Sequence, residues 1–154
     1  MRMNFGRLGR GEYLAVLGGL LLALSLFLPW YETNPDNRNA MIDGIRGSVS
    51  AFEAFGLLRW LLLAAAAAPL ILAWIIVRDH QLSWPRGELT AVVGMIALVL
   101  VLYVGLVDRP GEPSGQISIQ FGWFVSLLGI AAIIVGGALR ASGTERPRKP
   151  PGVL

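Results

Sequence analysis

The chain has 154 residues, 55% of them hydrophobic and only 15% charged, with a net charge of +3. Soluble domains carry about 25% charged residues, so this composition excludes an ordinary soluble domain and points to the membrane class. The chain has no cysteine, which excludes disulfides, thiolate metal sites and a cysteine nucleophile. Its positive charges flank apolar runs instead of forming a stripe with interleaved aromatics, which argues against nucleic acid.

A helix needs ~20 apolar residues to cross the hydrocarbon core of a bilayer. Four segments qualify. The expected fold is therefore all-α: one integral membrane domain over residues 1–154, a bundle of four transmembrane helices at about 12–31, 51–77, 86–107 and 120–140. Continuous apolar runs exclude barrel strands, which alternate. The basic, proline-rich stretch 141–154 is expected to be disordered.

The first span follows a basic start with Arg2, Arg7 and Arg10, and it ends in FLPWYETNP, residues 27–35. A signal peptide has the same start and apolar middle. It would end in small residues, whereas this run ends Leu28-Pro29-Trp30-Tyr31, so a retained helix is expected. Pro29 is expected to stop that helix, with Trp30 and Tyr31 at headgroup level and Glu32 opening a loop. Gly11, Ala15, Gly19 and Ala23, spaced by four, form a small-residue stripe of the kind that lets helices approach in lipid.

Before the second span, Ser50-Ala51-Phe52-Glu53 fits a capping box; the alternative for Glu53 is an ion-binding carboxylate. Arg59 precedes an apolar run from Trp60 to Val77 and admits two readings. It snorkels at the edge of the core against Trp60, or it belongs to a ligand site. Pro69 predicts a kink. The loop RDHQLSWPRG, residues 78–87, holds the sole histidine, His80, which cannot build a metal site alone. No metal and no cofactor are expected.

The third span is weaker in small residues, with Gly94 and Gly105 among bulky ones. In the fourth, Gly122, Ser126, Gly129, Ile133 and Gly136 are spaced four, three, four, three, a heptad-like seam. Spans one and four are expected to meet each other or a second copy. Phe55-Gly56 and Phe121-Gly122 open the second and fourth spans alike, which fits two tandem helical hairpins; any two apolar helices entering from one side would also look alike.

Nine arginines and lysines fall on one predicted side and four on the other, which places both termini in the cytoplasm of a plasma-membrane protein. Aromatic residues crowd the predicted outer side. Trp30, Phe55, Arg59, Trp60 and Trp123 are therefore the candidate ligand-binding residues, an outward-facing cleft for lipid or lipid-like molecules. The plainer reading of the same rings is anchoring and packing.

Within the apolar runs charged residues are otherwise absent, which disfavours a pump or ion-coupled transporter. No phosphate loop, nucleophile elbow or metalloprotease motif is present, and the chain is not expected to be an enzyme. The expected role is a non-enzymatic accessory or scaffold subunit that contacts membrane lipid, itself or a larger membrane complex. The alternative is a small-molecule or lipid carrier or channel that uses the aromatic cleft.

Several stretches together resemble a known family: GEYL at 11–14, LLLALSLFLPWY at 20–31, AFEAF at 51–55, Asp108-Arg109-Pro110, and GGALR at 136–140. The chain is similar over nearly its whole length to small four-span membrane proteins common in high-GC actinobacteria. That resemblance implies a topology and no active site.

Overall fold

The computed structural model describes residue 6 and residues 8–78 and 86–143. Arg2, Phe5 and Arg7, the loop segment with His80 and Trp84, and the stretch from 144 onward lie outside the described residues. In chain order the elements are α1 (Arg10–Ser25), β1 (Pro29–Thr33), β2 (Ser48–Ser50), α2 (Ala51–Ala54), α3 (Leu57–Val77), α4 (Arg86–Leu102), β3 (Ile117–Ile119) and α5 (Phe121–Gly143). The protein is mostly helical, and three of its helices are long and apolar enough to cross a membrane: Leu57–Val77, Gly87–Val107 and Phe121–Arg140. This marks it as a membrane protein. It is not all-α, because a three-stranded antiparallel sheet in the order β2-β1-β3 closes one end of the helices.

The expected first span is shorter than its apolar run. α1 has 16 residues, about 24 Å at 1.5 Å per residue. The reason for the early stop lies at Pro29. One more helical bond at this end would run from an N–H at position 29 to the Ser25 carbonyl, and proline has no N–H to give. The Ser25 carbonyl accepts the Trp30 indole N–H at 2.7 Å and the Leu28 N–H at 3.0 Å instead. The chain then becomes extended, and Pro29 lies in a strand rather than at a helix end.

The second expected span is also interrupted. The capping box forms, with the Glu53 N–H donating to Ser50 Oγ at 3.3 Å and the Ser50 N–H to the Glu53 carboxylate at 3.1 Å. It starts only the single turn α2, and α3 begins anew after Phe55-Gly56. α3 then runs unbroken through Pro69. α4 continues into a π-helical turn, Tyr103–Val107.

α1 lies along α5, α4 packs on an adjoining face of α5, and α3 packs on α1, while α3 and α4 touch little. The α1–α5 contact is made by glycines. A Cβ on Gly11 would meet the Gly136 carbonyl at 2.5 Å, and one on Gly18 the Gly129 carbonyl at 2.5 Å. The seam on α5 thus pairs with α1 of the same chain. On α1 only the first half of the stripe spaced by four, Gly11 and Ala15, faces α5. Four residues turn a helix by about 400°, so each step drifts about 40°. By Gly19 the stripe has rotated onto α3, where a Cβ would strike the Ala66 carbonyl. The face that meets α5 is Gly11, Ala15, Gly18 and Leu22, at alternating spacings of four and three.

Candidate functional site

At the sheet end, β1 supplies two adjacent aromatic residues that are both wholly buried, Trp30 and Tyr31. In a regular strand neighbours point to opposite faces. Here the register with β2 shifts between Pro29 and Tyr31, and the bulge lets both side chains turn inward. The expectation that Trp30 and Tyr31 sit among headgroups is therefore corrected: they form the core of the cap. Trp30 meets Phe55 edge-on with ring centroids 6.1 Å apart, and Tyr31 meets the same ring at 6.0 Å.

The π turn at the end of α4 leaves backbone carbonyls that cap residues take up. Trp123 Nε1–H donates to the Val101 carbonyl at 3.0 Å, and the Tyr31 hydroxyl to that of Val104 at 2.9 Å. Arg109 Nε–H reaches the Gly105 carbonyl at 2.8 Å, and its Nη1–H the Ile117 carbonyl at 2.8 Å. One guanidinium thereby ties the end of α4 to β3. Burial pushes the Tyr31 phenol well above its ordinary range, and the nearby positive charge of Arg109 only partly opposes this.

The outward face of the sheet is polar. Asn34 Nδ2–H donates to Gln116 Oε1 at 2.6 Å, and Gln120 Nε2–H to the Glu32 carboxylate at 2.8 Å. An open groove of about 570 Å³ runs beside this face, lined by Glu32, Asn34, Arg109, Gln116, Ile117 and Ser118 among others.

The opposite end of the helices holds the second polar feature. Glu12 forms an ion pair with Arg140 at 3.0 Å, and their side chains are only 9% and 29% exposed. The second carboxylate oxygen accepts the Gly9 N–H at 2.6 Å and caps α1. Beside the pair is a small space of about 10 Å³, lined by residues of α1, α3, α4 and α5, including Pro69, Thr90 and Gly137. A charged pair between helices was not expected, because Glu12 and Arg140 stand at the margins of their apolar runs. The signal available was their position in the first and last turns of the two helices whose small-residue faces were expected to meet.

The candidate ligand-binding residues do not line one cleft. Trp30 and Phe55 touch each other inside the cap. Trp123 packs on Gly105 of the π turn and on Phe124. Arg59 and Trp60 belong to another group on the surface with Phe52. Of the packing residues, Gly129 and Gly136 face α1 and Gly19 faces α3, whereas Gly122 abuts the Pro29 carbonyl and the Trp30 ring. Ser126 is buried and donates to the Trp123 carbonyl at 2.5 Å. Among the described residues, no group of three or more histidine, cysteine, aspartate or glutamate side chains lies close enough to hold a metal ion.

Comparison with protein-family models, with curated proteins and with solved structures finds no match for this chain. The functional reading accordingly rests on the geometry.

Proposed function

We propose that the protein is a non-enzymatic accessory or scaffold subunit of the plasma membrane, with four spans and both termini cytoplasmic, that presents its strand cap to a partner outside the membrane. The observation that carries this reading is the contrast between a closed interior and an open cap. Along α1 and α5 backbones approach to glycine distance, and Trp30, Tyr31 and Trp123 fill the space between helices and sheet. That packing leaves a carrier or channel no aromatic mouth. The groove beside the polar sheet face, in contrast, is open and offers donors and acceptors. α1 would serve as the fourth span through its extension to Leu28. The arginine bias supports the orientation, and the resemblance to small four-span membrane proteins supports the topology.

The chain has no cysteine, so a single introduced thiol is a unique handle. A photo-cross-linker on Ser118→Cys, in the groove, is expected to yield a discrete adduct in intact cells from the outer side. The same probe on Leu128→Cys, an exposed position on α5, is expected to yield lipid adducts only. Equal adduct patterns from both positions, or labelling of Ser118→Cys only after the membrane is opened, would overturn the proposal.

A further inference from the structure

A shelf of aromatic rings lies on the surface where α1 and α3 meet the cap. Phe27 stacks on Phe52 with centroids 5.2 Å apart, and Phe52 meets Trp60 edge-on at 5.8 Å. The Arg59 guanidinium rests over both of the latter rings, 4.8 Å from Phe52 and 5.4 Å from Trp60. Phe27 and Trp60 are 62% and 55% exposed, and Leu24 and Leu57, near them in sequence, are 65% and 74% exposed.

Arg59 is under-compensated at this place. Its Nη1–H donates to the Phe52 carbonyl at 3.1 Å, and its Nε–H is buried with no partner. Among the described residues no carboxylate pairs with it. A partly buried cation without a counter-charge is costly, and a guanidinium is built to take the oxygens of a phosphate. The position fixes which phosphate. Arg59 is the third residue of α3, whose 21 residues span about 32 Å against a ~30 Å hydrocarbon core. It therefore stands at the depth of the headgroups, with exposed apolar surface continuing below it along Leu24, Phe27 and Trp60.

We propose that Arg59, Phe52 and Trp60 form a phospholipid-binding site: the guanidinium takes the phosphodiester of one lipid, and its glycerol and upper acyl carbons lie across Trp60 and Phe27. This is a surface shelf, unlike the enclosed cleft expected from the aromatic residues. It rests on the protein being embedded in a membrane and not on a partner at the cap, so failure of cross-linking at Ser118 leaves it standing.

The test is native mass spectrometry of the full chain released from mild detergent, with phosphatidylglycerol titrated against diacylglycerol, which has the same chains and no phosphate. Wild type is expected to retain one phosphatidylglycerol in preference to diacylglycerol. Arg59→Gln is expected to weaken retention about ten-fold, the equivalent of one charge-assisted hydrogen bond. Arg59→Lys is expected to fall between them. Arg46→Gln, on an exposed loop of the cap, is expected to match wild type. If Arg59→Gln does not fold, Trp60→Leu carries the test, with a several-fold loss expected from removing the exposed ring. Equal retention of diacylglycerol, wild-type retention by the folded Arg59 or Trp60 variant, equal loss in Arg46→Gln, or displacement of the lipid by millimolar inorganic phosphate would overturn the proposal.

Discussion

Tyr31 shows how a single residue can report on the integrity of the cap. Its phenol is buried and donates to the Val104 carbonyl, and burial raises its ionisation above the ordinary value of 10.0. The unfolded chain therefore loses this proton first. Above pH 10 the unfolded state binds fewer protons than the folded one, and stability falls as pH rises. Below pH 10 the contribution is fully present. Thermal melting in detergent is expected to show a steeper alkaline loss for wild type than for Tyr31→Phe. The variant should be about 1 kcal/mol less stable at neutral pH, through the lost hydrogen bond. The Glu12–Arg140 pair makes a second prediction. Removing one member takes a charge partner from the other, and Glu12 is the more buried of the two. Arg140→Gln should therefore destabilise more than Glu12→Gln. Each should cost about 1–3 kcal/mol, below the 3–5 kcal/mol of a fully buried pair because Arg140 is partly exposed. A melting series with the double variant measures both costs and their coupling. Residue identity was readable in advance at all these positions, whereas burial was not. Trp30 and Tyr31 look like interfacial anchors in a linear chain, and only a bulge in the pairing with Ser48–Ser50 turns both inward.

Among the elements, the seam between α1 and α5 sets the tolerance to substitution. A Cβ at Gly129 would lie 2.8 Å from both the Gly18 carbonyl and the Leu22 nitrogen, atoms of a backbone that cannot step aside. Gly56, at the start of α3, has nothing within 4 Å. Gly129→Ala is expected to separate the two helices and cost about 1–3 kcal/mol, the usual range for overpacking, while Gly56→Ala stays within about 0.5 kcal/mol. Melting temperatures of the two variants in the same detergent check this. The apolar runs made the long helices legible, and the heptad spacing on α5 marked its contact face. The face on α1 was misread because a period of four drifts away from the helix repeat of 3.6. The strands went unread for a different reason: β2 and β3, with three residues each, lie below the length at which alternation stands out from loop sequence, and β1 opens on Pro29 at the end of an apolar run. A trace was present in Gln116-Ile117-Ser118-Ile119-Gln120, which alternates polar and apolar as a half-buried strand does.

For the whole molecule, the two ends of the helices are built differently. One is closed by a sheet and an aromatic core; at the other an ion pair and an adjoining one-water-sized space lie where four helices converge. α3 and α4 meet so little that an apolar furrow of about 280 Å³ opens between them, floored by Ala64, Ala65, Ala68 and Ala97. The compositional deficit of charge made the membrane class readable from the start, and the two-ended design was not, because the sheet depends on pairings across nearly ninety residues.

That distance has a consequence for biosynthesis. Glu32 and Gln120, bonded across the sheet, are 88 positions apart, which at roughly 5–20 residues per second is about 4 to 18 s of translation. Throughout that interval α3 and α4 are threading into the bilayer while β1 waits without β3. Until the last helix arrives, Trp30 and Tyr31 have β2 and the Phe55 ring beside them but lack β3 and the start of α5. The cap is thus the final part to close, and a chain truncated before Ile117 would leave the ribosome with β1 paired on one side only.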